Sequence, residues 1–328
     1  MEYKIAIVNS SSFGRVFPKH LEALKKLGEV ENFRVANDIS GRDLAEKLNG
    51  YNMIIASVTP YFTKEFFDNK DDLFIISRHG IGYNNIDLEA AEAHGTYVSI
   101  VPPLIERDAV AENAAANLMA LVRQTRLSAE AAADNRWAER ASFMGCNLTG
   151  KTFGVIGCGN IGSRVAEIFK YGFNGRVLVA DPKPEQQKWA AEHQMEVVSL
   201  ATLLQESDFI SLNCTLNETS EKIISRESLK LVKNGLYLTN TARGALIDEA
   251  ALLEALEEGR VAGLATDVML SEPADFSHPY FKNPKILVTP HTSAYTYECL
   301  EGMGEKCVAD LTRVVNGEKP EELVYGKA

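Results

Sequence analysis

Three side chains of this sequence could together serve the reduction of a carbonyl group by hydride transfer. Arg243 follows the apolar run LYLTNTA, Glu272 follows LATDVMLS and His291 follows ILVTP. An arginine can grip a carboxylate with its planar fork, and a histidine can give and take protons near neutral pH. A carboxylate beside the imidazole would hold its tautomer and favour its charged form. Because all three follow strand-like runs, we expect them at the carboxyl edge of a parallel sheet, where ligands collect.

A glycine-rich turn predicts a dinucleotide site. The run GCGNIG at residues 157–162 joins an apolar segment, Thr152–Ile156, to residues that repeat at helical spacing. Such glycines permit a tight turn and let the backbone approach a pyrophosphate at the helix N-terminus. A second apolar strand ends in Asp181, whose carboxylate would accept hydrogen bonds from ribose hydroxyls and repel a 2′-phosphate. The predicted cofactor is therefore NAD rather than NADP.

Strands and helices must alternate to position these residues, which predicts an α/β protein with parallel sheets covered on both faces. The first unit lacks a nucleotide fingerprint of its own, and the last helix is expected to return to it, which would make that unit discontinuous. The predicted strands are 4–8, 30–35, 53–56, 73–77, 96–100, 152–156, 176–180, 208–214, 235–240, 261–266 and 286–289, and the clearest helices are 18–28, 248–258 and 296–316.

Composition excludes several other classes of protein. The 328 residues are 45% hydrophobic and 24% charged, which suits two globular domains. The net charge of -11, with no basic block, argues against a nucleic-acid or membrane partner. Five cysteines form no CxxC pair, and six histidines do not cluster with carboxylates, so no metal site is expected. No signal-peptide pattern opens the sequence and no apolar run approaches the roughly 20 residues of a membrane span, so we expect a cytoplasmic protein.

Several motifs, taken in order, resemble those of the D-isomer-specific 2-hydroxyacid dehydrogenases. They are GIGYNNIDL at 80–88, AVAEN at 109–113, LTGKTFGVIG at 148–157, GCGNIG at 157–162, NTARG at 240–244, DVMLSEP at 267–273 and TPH at 289–291. The resemblance implies an α/β fold of two Rossmann-like domains, one flavodoxin-like and one NAD-binding, with doubly wound parallel sheets. The substrate domain would comprise residues 1–101 and 294–328, and the inserted NAD-binding domain residues 102–293. A homodimer built on the NAD-binding domain is also implied.

The same resemblance implies the reaction and the roles of three residues. The protein would interconvert a 2-oxo acid and a D-2-hydroxy acid with NAD. Arg243 would bind the carboxylate and carbonyl of the substrate, and His291 would protonate the carbonyl oxygen during reduction. Glu272 would tune and orient His291.

The resemblance also assigns binding residues. Asp267 matches the position that contacts the nicotinamide carboxamide. The loop whose amides would bind the substrate carboxylate consists of His79, Gly80, Ile81 and Gly82. The residues expected to bind NAD are Gly157, Gly159, Asn160, Ile161, Gly162, Asp181, Cys214, Thr215, Ser220, Thr241, Ala242 and Asp267.

Two segments depart from the family pattern. Residues 215–220 read TLNETS where the family commonly has Pro-Leu-Thr-x-x-Thr. Residues 101–112 lack both the tyrosine of the D-lactate type and the Asn-Ser/Thr pair of phosphoglycerate dehydrogenases. Glu106, Arg107 and Asp108 stand there instead, and they either cap the following helix, which we favour, or line the mouth of the site.

Other interpretations remain open at this point. An NAD-sensing corepressor on the same scaffold could keep the arginine, glutamate and histidine, although the disordered tails expected of such a regulator are absent from the sequence. A methyltransferase would also place an acid after its second strand, but it would not explain the three ordered side chains. Relatives that oxidise formate or phosphite share the scaffold. The segment 128–140 fits interdomain packing and a subunit interface equally well.

Overall fold

Two parallel sheets organise residues 2–324, the part of the chain that the computed structural model describes. Unit 1 consists of Met1–Glu106 and Tyr295–Ala328, and unit 2 consists of Arg107–Ala294. The first unit is thus discontinuous in sequence, with the second unit inserted into it. The predicted α/β class with two doubly wound parallel sheets is confirmed.

Unit 1 contains a five-stranded sheet of order β2-β1-β3-β4-β5, in which every pairing is parallel. Its strands and helices before residue 100 are β1 (Lys4–Val8), α1 (Pro18–Lys25), β2 (Glu29–Phe33), α2 (Gly41–Lys47), β3 (Met53–Ala56), α3 (Lys64–Asn69), β4 (Ile75–Arg78), α4 (Leu88–His94) and β5 (Tyr97–Ser99). The inner strand β3 is wholly buried, whereas the edge strand β2 is largely exposed. The strand order reverses at β1, and such switch points are where open α/β sheets bind ligands.

Unit 2 contains a seven-stranded parallel sheet of order β12-β11-β10-β9-β6-β7-β8. The chain enters it through the helix α5 (Pro103–Val122). The further elements are α6 (Thr125–Ala133), a 3-10 helix (Trp137–Phe143), β6 (Thr152–Ile156), α7 (Asn160–Glu167), a π-helical turn (Ile168–Gly172), β7 (Arg176–Ala180), α8 (Pro184–Glu192), β8 (Glu196–Val197), α9 (Leu200–Glu206), β9 (Phe209–Leu212), α10 (Arg226–Leu229), β10 (Leu236–Asn240), a 3-10 helix (Gly244–Leu246), α11 (Glu249–Glu257), β11 (Val261–Thr266), α12 (Pro279–Lys282) and β12 (Ile286–Val288). The order reverses between β6 and β9, beside the glycine turn.

Close packing at the glycine turn explains two of its glycines. Gly157 has a φ of 83°, and a Cβ there would lie 2.6 Å from the Cα atom of Cys214. A Cβ on Gly162 would overlap the carbonyl oxygen of Gly157. Only glycine therefore lets α7 start directly against the end of β6 and the loop after β9.

The last helix, α13 (Tyr297–Val315), is anchored in unit 1 by a buried charge. Its N-cap Thr296 accepts a hydrogen bond from the amide of Cys299. The carboxylate of Asp310, which is 1% exposed, accepts hydrogen bonds from Ser77 at 2.8 Å and Ser99 at 2.5 Å and pairs with Lys306 at 2.5 Å. Because a buried carboxylate needs such partners, the network fixes the helix against β4 and β5.

Candidate active site

His291 and Glu272 form a close pair in unit 2. The His291 Nδ1 lies 2.6 Å from the Glu272 Oε2, and the Glu272 Oε1 accepts a hydrogen bond from the Met269 amide at 2.8 Å. Burial alone would raise the pKa of the Glu272 carboxyl, but the hydrogen bond and charge of His291, the Met269 amide and the charge of Arg243 hold that pKa below its ordinary value. The ionised carboxylate accepts from Nδ1–H, which leaves Nε2 to exchange a proton with a ligand. The two side chains are 37% and 27% exposed, so a ligand can reach them.

A carboxylate at the end of β11 holds the turn that presents His291. The Asp267 carboxylate is 1% exposed and accepts hydrogen bonds from the Thr289 hydroxyl at 2.5 Å, the Thr292 amide at 2.9 Å and the Ser293 amide at 2.7 Å. The His291 amide donates to the Asp267 carbonyl at 3.0 Å, and His291 itself has a φ of 54°. That left-handed backbone is uncommon for a residue other than glycine, and the Asp267 bonds fix it. Contact of Asp267 with the nicotinamide carboxamide remains a prediction.

Arg243 is held beside this pair by the end of β10. The buried Asn240 side chain donates to the Arg243 carbonyl at 2.9 Å and accepts from the Ala242 amide at 3.0 Å. A Cβ on Gly244 would overlap the backbone of Met269, so the two loops pack directly against each other. Because β10, β11 and β12 are neighbours, the structure brings Arg243, Glu272 and His291 to one edge of the sheet, as expected.

The glycine turn and Asp181 also lie together. The Asp181 carboxylate accepts hydrogen bonds from the Cys158 amide at 2.7 Å and the Lys183 amide at 2.8 Å, so it closes the turn. No side chain of the described residues caps α7, whose N-cap is Gly159 and which begins with Asn160 and Ile161. Within residues 2–324, no atom beyond the adjoining backbone of the turn and α7 lies within 4 Å of the Cβ position on Gly159. The first-turn amides of α7 therefore face a cradle that can admit an anion.

The remaining predicted cofactor residues occupy the neighbouring loops. Cys214 follows β9 and packs against Gly157. The Ser220 hydroxyl donates to the Thr215 carbonyl at 2.6 Å and accepts from the Asn217 amide at 2.9 Å, so that loop is closed by its own side chains. The Thr241 hydroxyl is buried without a hydrogen-bond partner among the described residues. A buried hydroxyl of this kind is costly unless a ligand or water satisfies it.

The predicted substrate loop, His79 to Gly82, lies in unit 1 after β4. Arg78 supports it, since Nε donates to the Gly82 carbonyl at 2.6 Å and Nη1 donates to the Ala56 carbonyl at 2.7 Å. The Ile81 amide donates to the Glu106 Oε1 at 2.9 Å. Glu106 lies in the first turn of α5, so the favoured capping interpretation missed its contact with this loop.

The His79 ring, whose Nε2 is buried, predicts an acid-sensitive stability. Its Nε2 has no hydrogen-bond partner in the described part of the chain, and burial, with the charges of Arg78 and His20, lowers its pKa to about 3 from 6.5. Below pH 6.5 the His79 imidazole binds a proton in the unfolded chain but not in the folded protein. The stability that the neutral imidazole contributes is therefore present above pH 6.5 and is lost as the pH falls toward 3. Between pH 6.5 and pH 5 we expect the His79 contribution to the free energy of unfolding to fall by about 2 kcal/mol.

Urea unfolding of wild type and His79→Gln at several pH values measures this slope. In the variant, the free energy of unfolding should fall less between pH 6.5 and pH 5, because the contribution of His79 is gone. This difference in slope is expected whatever the stability of the variant at neutral pH. Equal slopes in the two proteins would contradict a neutral buried imidazole.

Sequence reasoning missed several residues that hold the site. Asn240, Thr292 and Ser293 received no role, although each stands within two positions of a predicted functional residue. The signal was the polar character of these positions at the ends of apolar strands. No helix within residues 2–324 combines the length and apolarity that a membrane span needs. The same residues contain no cluster of three or more potential metal-ligating His, Cys, Asp or Glu side chains.

Comparisons with known proteins identify the family of this chain. A family model for the NAD binding domain of D-isomer specific 2-hydroxyacid dehydrogenases matches residues 115–293. The chain is also 34% identical over 312 residues to a glyoxylate reductase of Thermococcus litoralis. The matched residues cover 93% of this chain and 92% of the relative. The chain belongs to the D-isomer-specific 2-hydroxyacid dehydrogenase family. The resemblance inferred from the sequence motifs is thereby confirmed.

Solved structures of other family members have the same fold as this dehydrogenase. Apo D-lactate dehydrogenase from Escherichia coli matches with a TM-score of 0.83 and 29% identity, over 98% of this chain and 99% of that one. D-lactate dehydrogenase from Aquifex aeolicus, complexed with NAD and lactic acid, matches with a TM-score of 0.83 and 26% identity, over 99% and 100%. The protein is an NAD-dependent 2-hydroxyacid dehydrogenase, which confirms NAD as the cofactor. The expected preference for NAD over NADP stays a prediction.

NAD fits the residues of the dehydrogenase at the glycine turn, because the space above Gly159 is open. An alanine at that position should fold normally yet occupy the space that the pyrophosphate needs. We expect Gly159→Ala to weaken NADH binding about tenfold to a hundredfold, the effect of about 1 to 3 kcal/mol of overpacking. Gly172→Ala is the matched control, since its Cβ position is equally open and lies away from the turn. Calorimetric binding of NADH that is equal in both variants would contradict this assignment of the cradle.

Proposed function

We propose that this dehydrogenase interconverts a small 2-oxo acid and the corresponding D-2-hydroxy acid, with His291 as the acid and base. The observation that carries the proposal is the His291–Glu272 pair, 2.6 Å apart, beside Arg243. Those three side chains provide a proton donor, an anion that stabilises the donor when it is charged, and a cation for the substrate. This is the set that reduction of a carbonyl next to a carboxylate requires.

Each residue has a defined task in the proposed reaction. Arg243 binds the substrate carboxylate through its fork and polarises the carbonyl oxygen. His291 holds a proton on Nε2 and gives it to that oxygen during reduction, or takes it back from the hydroxyl during oxidation. Glu272 accepts from Nδ1–H and stabilises the imidazolium. When bound, NADH supplies the hydride.

The two units would divide the work as the motifs predict. We propose that residues 1–101 and 294–328 bind substrate, with the amides of His79 to Gly82 receiving its carboxylate. Residues 102–293 would bind NAD through the glycine turn, Asp181, Cys214, Thr215, Ser220, Thr241, Ala242 and Asp267. The names of the relatives, glyoxylate reductase and D-lactate dehydrogenase, support small 2-oxo acids as substrates and the D configuration of the product.

We also propose a cytoplasmic homodimer formed through unit 2. Trp137, the first residue of the 3-10 helix before β6, is 68% exposed, and Met144, which follows that helix, is 82% exposed. Met119 on α5 is 42% exposed. Large apolar side chains exposed on the same unit favour a subunit interface in that unit.

The test is the rate of NADH and NADPH oxidation by the purified protein with a panel of 2-oxo acids. We expect turnover of small 2-oxo acids with NADH, and weaker use of NADPH because Asp181 repels its 2′-phosphate. Product analysis on a chiral column should give the D-hydroxy acid. Tight NADH binding without turnover of any 2-oxo acid would instead favour a regulatory NAD-binding protein.

A further inference from the structure

A carboxylate of the protein itself lies on the predicted substrate loop. The Ile81 amide donates to the Glu106 Oε1 at 2.9 Å, although the two residues are 25 positions apart. A Cβ on Gly80 would lie 3.5 Å from the same oxygen and 3.1 Å from the Arg78 Nη2. Glu106 and Arg78 therefore flank one residue of the loop, and Glu106 holds an amide that a substrate carboxylate would use.

The two charged groups differ in their access to solvent. Arg78 is 2% exposed and donates to two backbone carbonyls, those of Gly82 and Ala56. Glu106 is only partly buried. His79 adds no charge near neutral pH, because burial lowers its pKa to about 3. Of these three groups, Glu106 combines an acidic side chain with partial exposure to solvent.

We propose that Glu106 is a specificity-determining residue that selects 2-oxo acids by the charge of their side chain. The inference rests on the proposed role of the loop in binding the substrate carboxylate. That carboxylate displaces Glu106 from the Ile81 amide, and the displaced side chain stays within reach because α5 fixes its backbone. A second negative charge on the substrate is then repelled, whereas a hydroxyl, amide or cationic group finds an acceptor.

Glu106 would thus sort 2-oxo acids into three groups by the charge of their side chain. Monoanions with a neutral or donor-bearing side chain are accepted, those with a cationic side chain gain a partner, and those with a second carboxylate or a phosphate are rejected. Screened repulsion between two charges a few ångströms apart corresponds to a discrimination of about tenfold.

The variant Glu106→Gln tests the proposal, since its amide oxygen can still accept from the Ile81 amide while the charge is removed. The measurement is kcat/KM of the full-length enzyme with NADH for glyoxylate, 2-oxoglutarate and 5-guanidino-2-oxopentanoate. The ratio of 2-oxoglutarate to glyoxylate is expected to rise about tenfold in the variant, and the ratio of the cationic acid to glyoxylate is expected to fall by a similar factor. Unchanged ratios would overturn the proposal.

Two further measurements separate the charge of Glu106 from other effects. Glu305→Gln makes the same chemical change in unit 1, at a side chain that is 59% exposed and pairs with Lys19, and it should leave both ratios unaltered. Calorimetric binding of oxamate and oxalate compares ligands of nearly equal shape that differ by one negative charge, without turnover. Wild type is expected to bind oxamate more tightly than oxalate, and this affinity ratio should be smaller in Glu106→Gln. An affinity ratio that is the same in both proteins would also overturn the proposal.

Failure of the proposed function has a different signature. In that case wild type would reduce none of the three acids and would bind neither oxamate nor oxalate, and the inference would fall with it. Turnover of glyoxylate with ratios insensitive to Glu106 would overturn the inference alone.

Discussion

Replacing His291 with asparagine is expected to lower kcat for 2-oxo acid reduction by about 10²- to 10⁴-fold, the contribution typical of a positioned general acid. Asparagine retains a polar side chain but cannot supply a proton to the carbonyl oxygen. Because His291 is partly exposed and lies in the loop between β12 and α13, the change should leave the fold intact. The affinity for NADH should therefore stay within a few-fold of wild type while the rate of NADH oxidation collapses.

The chain offers a matched control for this variant. His278 also pairs with a glutamate, since its Nε2 lies 3.3 Å from the Glu249 Oε2, but it stands at the start of α12. His278→Asn should keep nearly all of the activity, because asparagine can still cap the helix. If His291→Asn reduced 2-oxo acids as fast as His278→Asn, another group would have to be the proton donor.

The buried strands were predictable because both of their faces are covered by helices. Strands β3, β6, β7 and β11 have the predicted bounds, since each reads as a run of apolar or β-branched residues and glycine, in β7 after the exposed Arg176. The edge strand β8, Glu196–Val197, was missed because both residues are exposed and form no apolar run. The helical spacing predicted after the glycine turn instead gives way to a π-helical turn after Glu167, a change of hydrogen bonding that residue spacing does not reveal.

The parts of the site that depend on residue type and local position could be predicted from the sequence. The parts that depend on hydrogen bonds between residues far apart in the sequence could not. Arg243, Glu272 and His291 could be found because each follows a strand, and parallel strands end at one edge. The bonds from Ser293 to Asp267 span 26 residues, and the bond from Ile81 to Glu106 spans 25. A single sequence supplies the residue types of such pairs but not the pairing. The structure was therefore needed to show the Asp267 contacts that orient His291 and the hydrogen bond between Ile81 and Glu106.

Arg243 carries the second large prediction, because its task depends on a planar fork as well as on charge. Two charge-assisted hydrogen bonds to a carboxylate are together worth about 3 to 6 kcal/mol, so Arg243→Gln should lower kcat/KM for 2-oxo acids by about 10²- to 10⁴-fold. Arg243→Lys keeps the charge but loses the fork, and we expect an intermediate value. NADH affinity, measured by calorimetry, should change little in both.

The comparison with Arg226→Gln makes the Arg243 result specific. Arg226 lies in the same unit, is 54% exposed and pairs with Glu254 on the surface, so its loss should leave kcat/KM within a few-fold of wild type. Arg243 instead lowers the pKa of Glu272, which makes it part of the same electrostatic cluster as His291. Its removal should therefore weaken substrate binding and also allow the pKa of Glu272 to rise. If Arg243→Gln retained the activity of Arg226→Gln, the substrate carboxylate would have to bind elsewhere, and the assignment of the reaction to this edge of the sheet would be wrong.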